Sequence, residues 1–556
     1  MQKIIKLITD ADFYAERALD KAGEGDFFGA LELLRHAQNF VKKKYDEQDL
    51  SIKLEIADLL ADLGLYEDST LEYLKLIPHD FCLEEIFYGI IKNYALLENS
   101  ALASYFLRLG ASLGILLPEE NFEPEELEYL EALPMHKSEI KLLKPNDNSH
   151  TISVAKHLLT AHDIDFARQV LMTVPKTSLQ HTEATNYLAL IELSEGRGEQ
   201  GLAMCRQILK DNPDDFYALT TEIIALEMSG KITELDKKII ELDKIDLDEM
   251  PAVAKAALCF CQINNSAYAH KYLQRTLKYL PYDKEILALA MLAASNMGEY
   301  KLAKDAAVRL TVLYKDDPVV SYYARRVEDC IKEPTNYLLL PDLPKSVRMS
   351  NAKLLDKTVY TLKCADKLML MANKDTQLAE AINYALYSNN DSLSVQIGTL
   401  LALSKKAEPL LRDVLIDPDF SPLAKKEILI ALFHRGNLSA PLHLFVNSQL
   451  FFLYPKIPKE LQRPEIIEAY WQVYGALCFL GDGEDTKNLN RVAKKVNASL
   501  KSLPQINERA VAALIAYKAS SHKVFEKVTH ICEIFRCELQ ELEEYEKLLG
   551  ASIDKK

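Results

Sequence analysis

The chain has 556 residues, of which 49% are hydrophobic, 27% are charged and only 18 are glycine. This balance is typical of a folded, soluble protein, and the scarcity of glycine together with abundant Ala, Leu, Lys and Glu favours helix. No stretch reaches the ~18 apolar residues of a membrane span, and the short apolar run at the start is broken by Lys6. We therefore expect a cytoplasmic protein with no membrane partner.

The net charge of −16 is unevenly distributed. Residues 1–140 hold 13 Lys and Arg against 28 Asp and Glu, whereas the remaining 416 residues hold 53 against 54. An acidic surface would attract a basic protein partner and repel nucleic acid and anionic lipid. The alternative is a solvated face that serves solubility.

The N-terminal region, residues 1–117, contains three segments with the pattern helix, tight turn, helix: GEGDFFGALELLRHAQNF, LADLGLYEDSTLEYLKLIP and LLENSALASYFLRLG. They are degenerate forms of a unit that is clearer further along the chain. Residues 118–149 break the pattern and are predicted to be an acidic linker. This segment is either a flexible connector with one short helix or an insertion packed on a groove.

Residues 150–331 repeat with a period of 34. The turn positions Gly196, Gly230, Asn264 and Gly298 are 34 apart, and five residues after each stands Gly201, Leu235, Ala269 or Ala303. Gly or Asn supplies the positive φ that ends a first helix, and a small residue lets the second helix approach closely. Prolines such as Pro213 and Pro281 cannot continue the second helix. The pattern predicts stacked helix pairs.

This unit resembles the tetratricopeptide repeat, as found in bacterial multi-repeat proteins. AYAHKYLQRTLKYLPYD, residues 267–283, carries the family's small residue, aromatic or aliphatic residue and proline, although Leu219, Val253 and Leu287 stand in the slot of its tryptophan. The resemblance implies an all-α superhelical solenoid with a long concave surface. It also implies that the fifth, ninth and twelfth positions of each first helix line this groove: Asn186, Leu190, Leu193, Thr220, Ile224, Glu227, Ala254, Leu258, Cys261, Ala288, Leu292 and Ser295.

The predicted groove is apolar to neutral. It does not match the family's clamp of Lys and Asn for acidic C-terminal peptides. We expect it to bind a protein partner's amphipathic helix or extended apolar segment, and the chain's own 118–149 and 332–351 are candidate occupants. The alternative is that these residues only pack against neighbouring helices.

The nine cysteines lie mostly within apolar helical patterns and are predicted to be reduced core thiols. Cys259 and Cys261 are ~200° apart around a helix axis, so they cannot share a tetrahedral metal ion without unwinding the helix. His522, His530, Cys532 and Cys537 also lack the CxxC pairs of structural zinc sites. We expect no metal and no cofactor.

After the repeats, residues 332–352 contain three prolines and are predicted to be a linker lying along a surface. Residues 353–440 resemble HEAT-type helix pairs, and an irregular helical domain is the alternative. Residues 441–556 are predicted to be a helical region, in which the aromatic cluster Phe445, Phe451, Phe452 and Tyr454 is core rather than an exposed patch.

The last segment resembles a helix-turn-helix, with Arg536 at the position of the turn glycine. Its second helix would carry Glu538, Glu541, Glu543, Glu544 and Glu546, which have the wrong sign to face phosphates. We therefore expect a packing module or a plain terminal hairpin, and we expect nucleic-acid binding to be the weaker interpretation.

The sequence contains no GxxxxGK[ST], HExxH or GxSxG motif, and no GxGxxG after a strand. The prediction is a non-catalytic scaffold or adaptor that binds proteins. Two alternatives stay open: a nucleic-acid-linked regulator acting through the C-terminal hairpin, and an enzyme with an unrecognised site in the C-terminal half.

Overall fold

The computed structural model divides into two compact units, residues 136–344 and residues 1–135 together with 345–556. It describes residues 10–116, 148–160, 164–330, 332, 335–362, 365–388, 390–436, 438, 441–453, 456–479, 486–520 and 527–549. The described residues are almost entirely helical, which confirms the predicted all-α class. None of the helices in these ranges combines the length and the apolar character needed to cross a bilayer.

The unit of residues 136–344 is a stack of antiparallel helix pairs. Second helices begin at residues 198, 232, 266 and 300, and first helices at 216, 250 and 284, with a last helix at 318, so both series advance by 34. The predicted stack of helix pairs with a 34-residue period is thus confirmed. The helices are α7 (Ser149–Thr160), α8 (Ile164–Met172), α9 (His181–Ser194), α10 (Gly198–Asp211), α11 (Phe216–Met228), α12 (Ile232–Asp243), α13 (Met250–Gln262), α14 (Ser266–Thr276), α15 (Lys284–Asn296), α16 (Tyr300–Leu313) and α17 (Pro318–Cys330).

The turns within the pairs have the backbone that the sequence predicts. Gly196, Gly230 and Gly298 have φ of 78°, 67° and 75°, and Asn264 has φ of 52°. Close helix approach follows at Gly201, where an added Cβ would lie 2.8 Å from Cδ2 of Leu193. The turn chemistry therefore fixes where each second helix begins.

The other unit begins with three helix pairs. They are α1 (Ala11–Gly23) with α2 (Phe27–Gln38), α3 (Glu47–Asp62) with α4 (Tyr66–Leu76), and α5 (Leu83–Leu96) with α6 (Ser100–Ser112). Consecutive helices pack on each other, and α3 also contacts α5. Ile86, Phe87 and Phe106 are fully buried in their shared core.

Residues 345–549 supply the remainder of this unit. Their helices are α18 (Lys345–Leu362), α19 (Ala365–Ala372), α20 (Thr376–Leu386), α21 (Asp391–Ala402), α22 (Glu408–Ile416), α23 (Pro422–Arg435), α24 (Pro464–Phe479), α25 (Lys487–Ser499), α26 (Glu508–Ala519), α27 (Val528–Phe535) and α28 (Leu539–Leu549). One large core joins α18–α28, with Tyr470 and Trp471 among its buried side chains.

A β-hairpin lies between α23 and α24, in a region predicted to be helical. Strands β1 (Leu442–Val446) and β2 (Gln449–Leu453) are antiparallel, with Val446 opposite Gln449. Both turn residues, Asn447 and Ser448, have positive φ, as a two-residue type I′ turn requires. Of the aromatic cluster, Phe445 and Phe451 are core as predicted, Phe452 is half-buried and Tyr454 lies outside the described residues.

The hairpin packs against the N-terminal helix pairs. The ring of Phe445 stacks on that of Phe106, with centroids 6.3 Å apart. The hydroxyl of Tyr105 accepts a hydrogen bond from the Leu450 N–H (2.8 Å) and donates one to the Leu450 carbonyl (3.2 Å). Residues far apart in the chain therefore share one core, which the predicted serial order of regions does not anticipate.

Candidate peptide-binding surface

The twelve predicted groove residues lie on the first helices α9, α11, α13 and α15, and eight of them are buried. The reason is that α11 is buried continuously over 218–226 and α15 over 286–295. Leu190, Ala254 and Leu258 are half-buried and Glu227 is exposed. These four residues can reach a partner, while the others pack within the stack. A role in partner binding remains a prediction for all twelve.

Cys259 and Cys261 are buried, free thiols within this stack. The Cys259 thiol donates to the carbonyl of Thr220, with an S···O distance of 3.3 Å. Burial raises the pKa of both thiols to about 12, so each is protonated at neutral pH. Protonated thiols are poor nucleophiles and poor metal ligands. Their place in the fold is that of packing residues.

An extended segment, residues 335–343, lies on the last repeats of the same unit. The side chain of Asn296, the last residue of α15, binds the backbone of Tyr337 twice: Nδ2 donates to the carbonyl (2.8 Å) and Oδ1 accepts from the N–H (2.7 Å). Oδ1 of Asn264 accepts from the Leu339 N–H (2.9 Å). Two amide side chains thus bind peptide groups rather than side chains, so these hydrogen bonds do not depend on the sequence of the segment.

Asn264 can serve as an anchor because of its turn position. The other units have glycine there, and asparagine tolerates the same left-handed backbone while carrying an amide. Asn296 is braced by Ser266, whose Oγ accepts from its Nδ2 at 2.9 Å. The sequence offered one signal for this site, the single Asn in a series of turn glycines, and our sequence reasoning did not use it.

Side chains of the extended segment alternate between burial and exposure. Leu339 is 6% exposed, whereas Leu338 and Leu340 on either side are 69% and 58% exposed. The Tyr323 hydroxyl donates to the Asp342 carbonyl (2.9 Å), and its ring meets the Tyr337 ring edge-on. The surface therefore combines backbone hydrogen bonds with a site for one apolar side chain.

Only part of residues 332–351, one of the two candidate groove occupants predicted from the sequence, lies on the repeats. Residues 335–343 lie on the repeats as described, whereas residues from Lys345 belong to helix α18. In the other candidate, 118–149, only residues 148 and 149 are within the described residues.

The C-terminal hairpin consists of α27 and α28, and Arg536 between them has φ of 53°. Helix α28 is tied to α26 at both ends: Asn507 Nδ2 donates to the Glu541 carboxylate (3.0 Å), and Lys518 pairs with Glu546 at 2.5 Å. Two glutamates of the would-be recognition helix are therefore used within the fold. Over the residues that the structure describes, no group of three or more His, Cys, Asp or Glu side chains is arranged to hold a metal, and His522 lies outside them.

No protein-family profile matches the chain. No curated protein matches it in sequence. Several solved structures align with it, and the three described here do so at low similarity. A tetratricopeptide repeat protein from Parabacteroides merdae has 11% identity and a TM-score of 0.23, with 57% of this chain and 98% of that one covered.

The other two alignments span nearly the whole chain. Yeast Tom70 has 11% identity and a TM-score of 0.19, with 98% of both chains covered. The Naa15/Naa10 complex bound to HypK-THB has 14% identity and a TM-score of 0.19, with 97% of this chain and 77% of that one covered. At such TM-scores these alignments carry no weight for function, and the repeat geometry itself identifies the fold type.

Proposed function

We propose that this chain is a non-catalytic scaffold or adaptor whose tetratricopeptide-type repeats bind an extended or helical segment of a protein partner. The observation that carries the proposal is the resident segment 335–343, held by Asn264 and Asn296. A repeat surface that binds peptide groups through side-chain amides can hold other extended segments in the same way.

The half-buried residues Leu190 and Leu258 supply an apolar contact on the first helices, where the family's resemblance places the groove. Burial of an apolar partner residue there would add to affinity in proportion to the area removed from water. The assignment of all twelve predicted groove residues to a partner-binding surface is part of this proposal.

The test is to identify partners by crosslinking to the full-length chain and then measure the affinity of an identified partner for two variants. Leu190→Glu with Leu258→Glu places charge on the first helices, and affinity should fall by about tenfold or more, since an unpaired carboxylate must be desolvated. Ile232→Glu with Ile240→Glu is the matched control, because both residues are exposed on the second helix α12 and the pair adds the same number of charges. Equal affinity for wild type and the double variant would remove the first helices from the binding surface.

A further inference from the structure

A cavity of about 460 Å³ lies on the other unit, between helices α3 and α5. This volume is within the range of about 300–1,000 Å³ typical of ligand sites. Its mouth carries four exposed carboxylates and one exposed ammonium, and its floor is made by buried residues. The lining residues are Asp58, Ala61, Asp62, Tyr73, Glu84, Glu85, Tyr88, Gly89, Lys92 and Asn93.

The floor holds a buried acceptor without a donor. Asn93 is 1% exposed, and its Nδ2 donates to Oγ of Ser69 (2.8 Å) and Oγ1 of Thr70 (3.2 Å). Its Oδ1 is buried and accepts no hydrogen bond from the described residues. Buried acceptors in native proteins are nearly always paired, so an orphan beside a cavity points to a ligand that donates hydrogen bonds.

The carboxylates at the mouth crowd one another. The Asp58 side chain is exposed, but the neighbouring helices partly desolvate its carboxylate and so raise its pKa. The charges of Glu85 and Asp62 add to the rise, although the hydroxyl of Tyr73 donates to this carboxylate and opposes it. The pKa of Glu55 beside them is raised by burial and by Asp58 and Glu85. Lys92 offsets one of these negative charges. A bound cation would relieve the remaining repulsion.

We propose that this cavity binds an arginine side chain of a basic protein segment. A guanidinium carries five N–H donors in a planar fork, which suits the Asp58 and Glu85 carboxylates at the mouth. A metal ion is disfavoured because the described residues include no group of side chains arranged to hold one. The site lies in the N-terminal helix pairs, so its test is independent of the test of the proposed peptide surface on residues 136–344.

The probe is a fluorescein-labelled peptide Gly-Gly-Arg-Gly-Arg-Gly-Gly, titrated into the full-length protein at low ionic strength and followed by anisotropy. A second peptide with citrulline in place of arginine has the same shape without the charge. We expect the arginine peptide to bind, and the citrulline peptide to bind about tenfold more weakly or worse, since charge-assisted hydrogen bonds are lost.

Two variants with equal loss of negative charge locate the binding. Asp58→Asn with Glu85→Gln alters the cavity, and both residues are exposed enough for the fold to be kept, which a thermal unfolding curve checks. Glu16→Gln with Glu67→Gln is the control, because both are exposed on α1 and α4 outside the cavity lining. We expect the arginine peptide to bind the cavity variant about tenfold more weakly, and the control as wild type within about twofold.

Three outcomes would overturn the proposal. The first is equal loss in both variants, which would show a diffuse acidic surface. The second is equal binding of the arginine and citrulline peptides, or no binding of either. The third is displacement of the arginine peptide by spermidine at lower concentration than by unlabelled peptide, which would show a site for small polyamines.

Discussion

Gly89, on α5 in the N-terminal helix pairs, faces the ring of Tyr73. A Cβ at this position would lie 2.4 Å from Cζ and 2.7 Å from the hydroxyl oxygen of Tyr73. We expect Gly89→Ala to displace the ring and to lower the free energy of unfolding by about 1–3 kcal/mol, as overpacking does. Urea denaturation measures this change in the free energy of unfolding. Gly23→Ala is the control, because nothing lies within 4 Å of its added Cβ; equal stability of both variants would contradict the packing argument.

His443 on β1 gives a pH dependence whose sign is fixed by burial. Burial lowers its pKa from 6.5 to about 4, with Arg412 adding to the effect. Between these values the unfolded chain binds more protons than the folded one, so stability is lost as pH falls from about 6.5 towards 4. The loss from this one residue is about 3 kcal/mol.

The variant His443→Gln should lack this contribution. Its free energy of unfolding should fall less steeply than that of wild type between pH 6.5 and 4, and the two curves should run parallel above pH 7. Denaturation with urea at a series of pH values measures both curves. Equal slopes in the acidic range would show that folding does not lower the pKa of His443.

At the scale of single residues, the sequence predicted backbone conformation better than it predicted which side chains are in contact. The positive φ at Gly196, Gly230 and Gly298 follows from their spacing, because only a left-handed residue ends a helix at such a turn. The orphan acceptor of Asn93 and the anchoring of Tyr337 by Asn296 depend on which side chains meet in space. A single sequence with a local repeat does not show which distant side chains are in contact.

The hairpin β1–β2 shows how an element is held by a residue from a distant helix. Tyr105 exchanges two hydrogen bonds with the backbone of Leu450, which is 3% exposed. We expect Tyr105→Phe to lower the free energy of unfolding by about 1–3 kcal/mol, since a buried N–H and carbonyl lose this partner. Tyr217→Phe, at a ring that is 52% exposed, should have little effect. Comparable losses in the two variants would contradict this role for the Tyr105 hydroxyl.

The extended segment 335–343 is the second element with a defined anchor. Asn296→Leu keeps the size of the side chain and removes both hydrogen bonds to Tyr337. We expect faster hydrogen exchange at the amides of Tyr337 and Leu339, because exchange follows local opening. Leu338→Ala is the control, since that side chain is 69% exposed. Unchanged exchange in Asn296→Leu would show that the two hydrogen bonds from Asn296 do not hold the segment in place.

Helices were predicted from the sequence and strands were not, for a physical reason. The helix pairs of residues 181–330 advance by 34, and their turns and small residues mark each boundary. Strand β1 is buried at all five residues, so it lacks the alternation of apolar and polar residues that reveals a strand. A short apolar run of this kind is equally compatible with a buried helix.

At the scale of the whole molecule, the sequence predicted the all-α class and the repeat unit. It did not predict that residues 1–135 and 345–556 form one unit, because repeat periodicity is local and this unit is closed by contacts across hundreds of residues. Ile416, Phe445 and Leu450 from the C-terminal half belong to the core of the N-terminal helix pairs. The predicted domain boundaries divide the chain in sequence order, and they do not specify which regions pack together.

This shared core predicts that the two parts associate when they are made as separate chains. Ile416, Phe445 and Leu450 are each at most 5% exposed, and burial of such side chains contributes about 1.5–3 kcal/mol each. Residues 1–135 and 345–556, co-expressed without 136–344, should therefore co-elute as a 1:1 complex in size-exclusion chromatography with light scattering. Phe445→Asp in the second chain should prevent co-elution, because a carboxylate would face the ring of Phe106 without a partner. Separate elution of the two unaltered, folded chains would show that the shared core is too weak to hold them without the covalent connection.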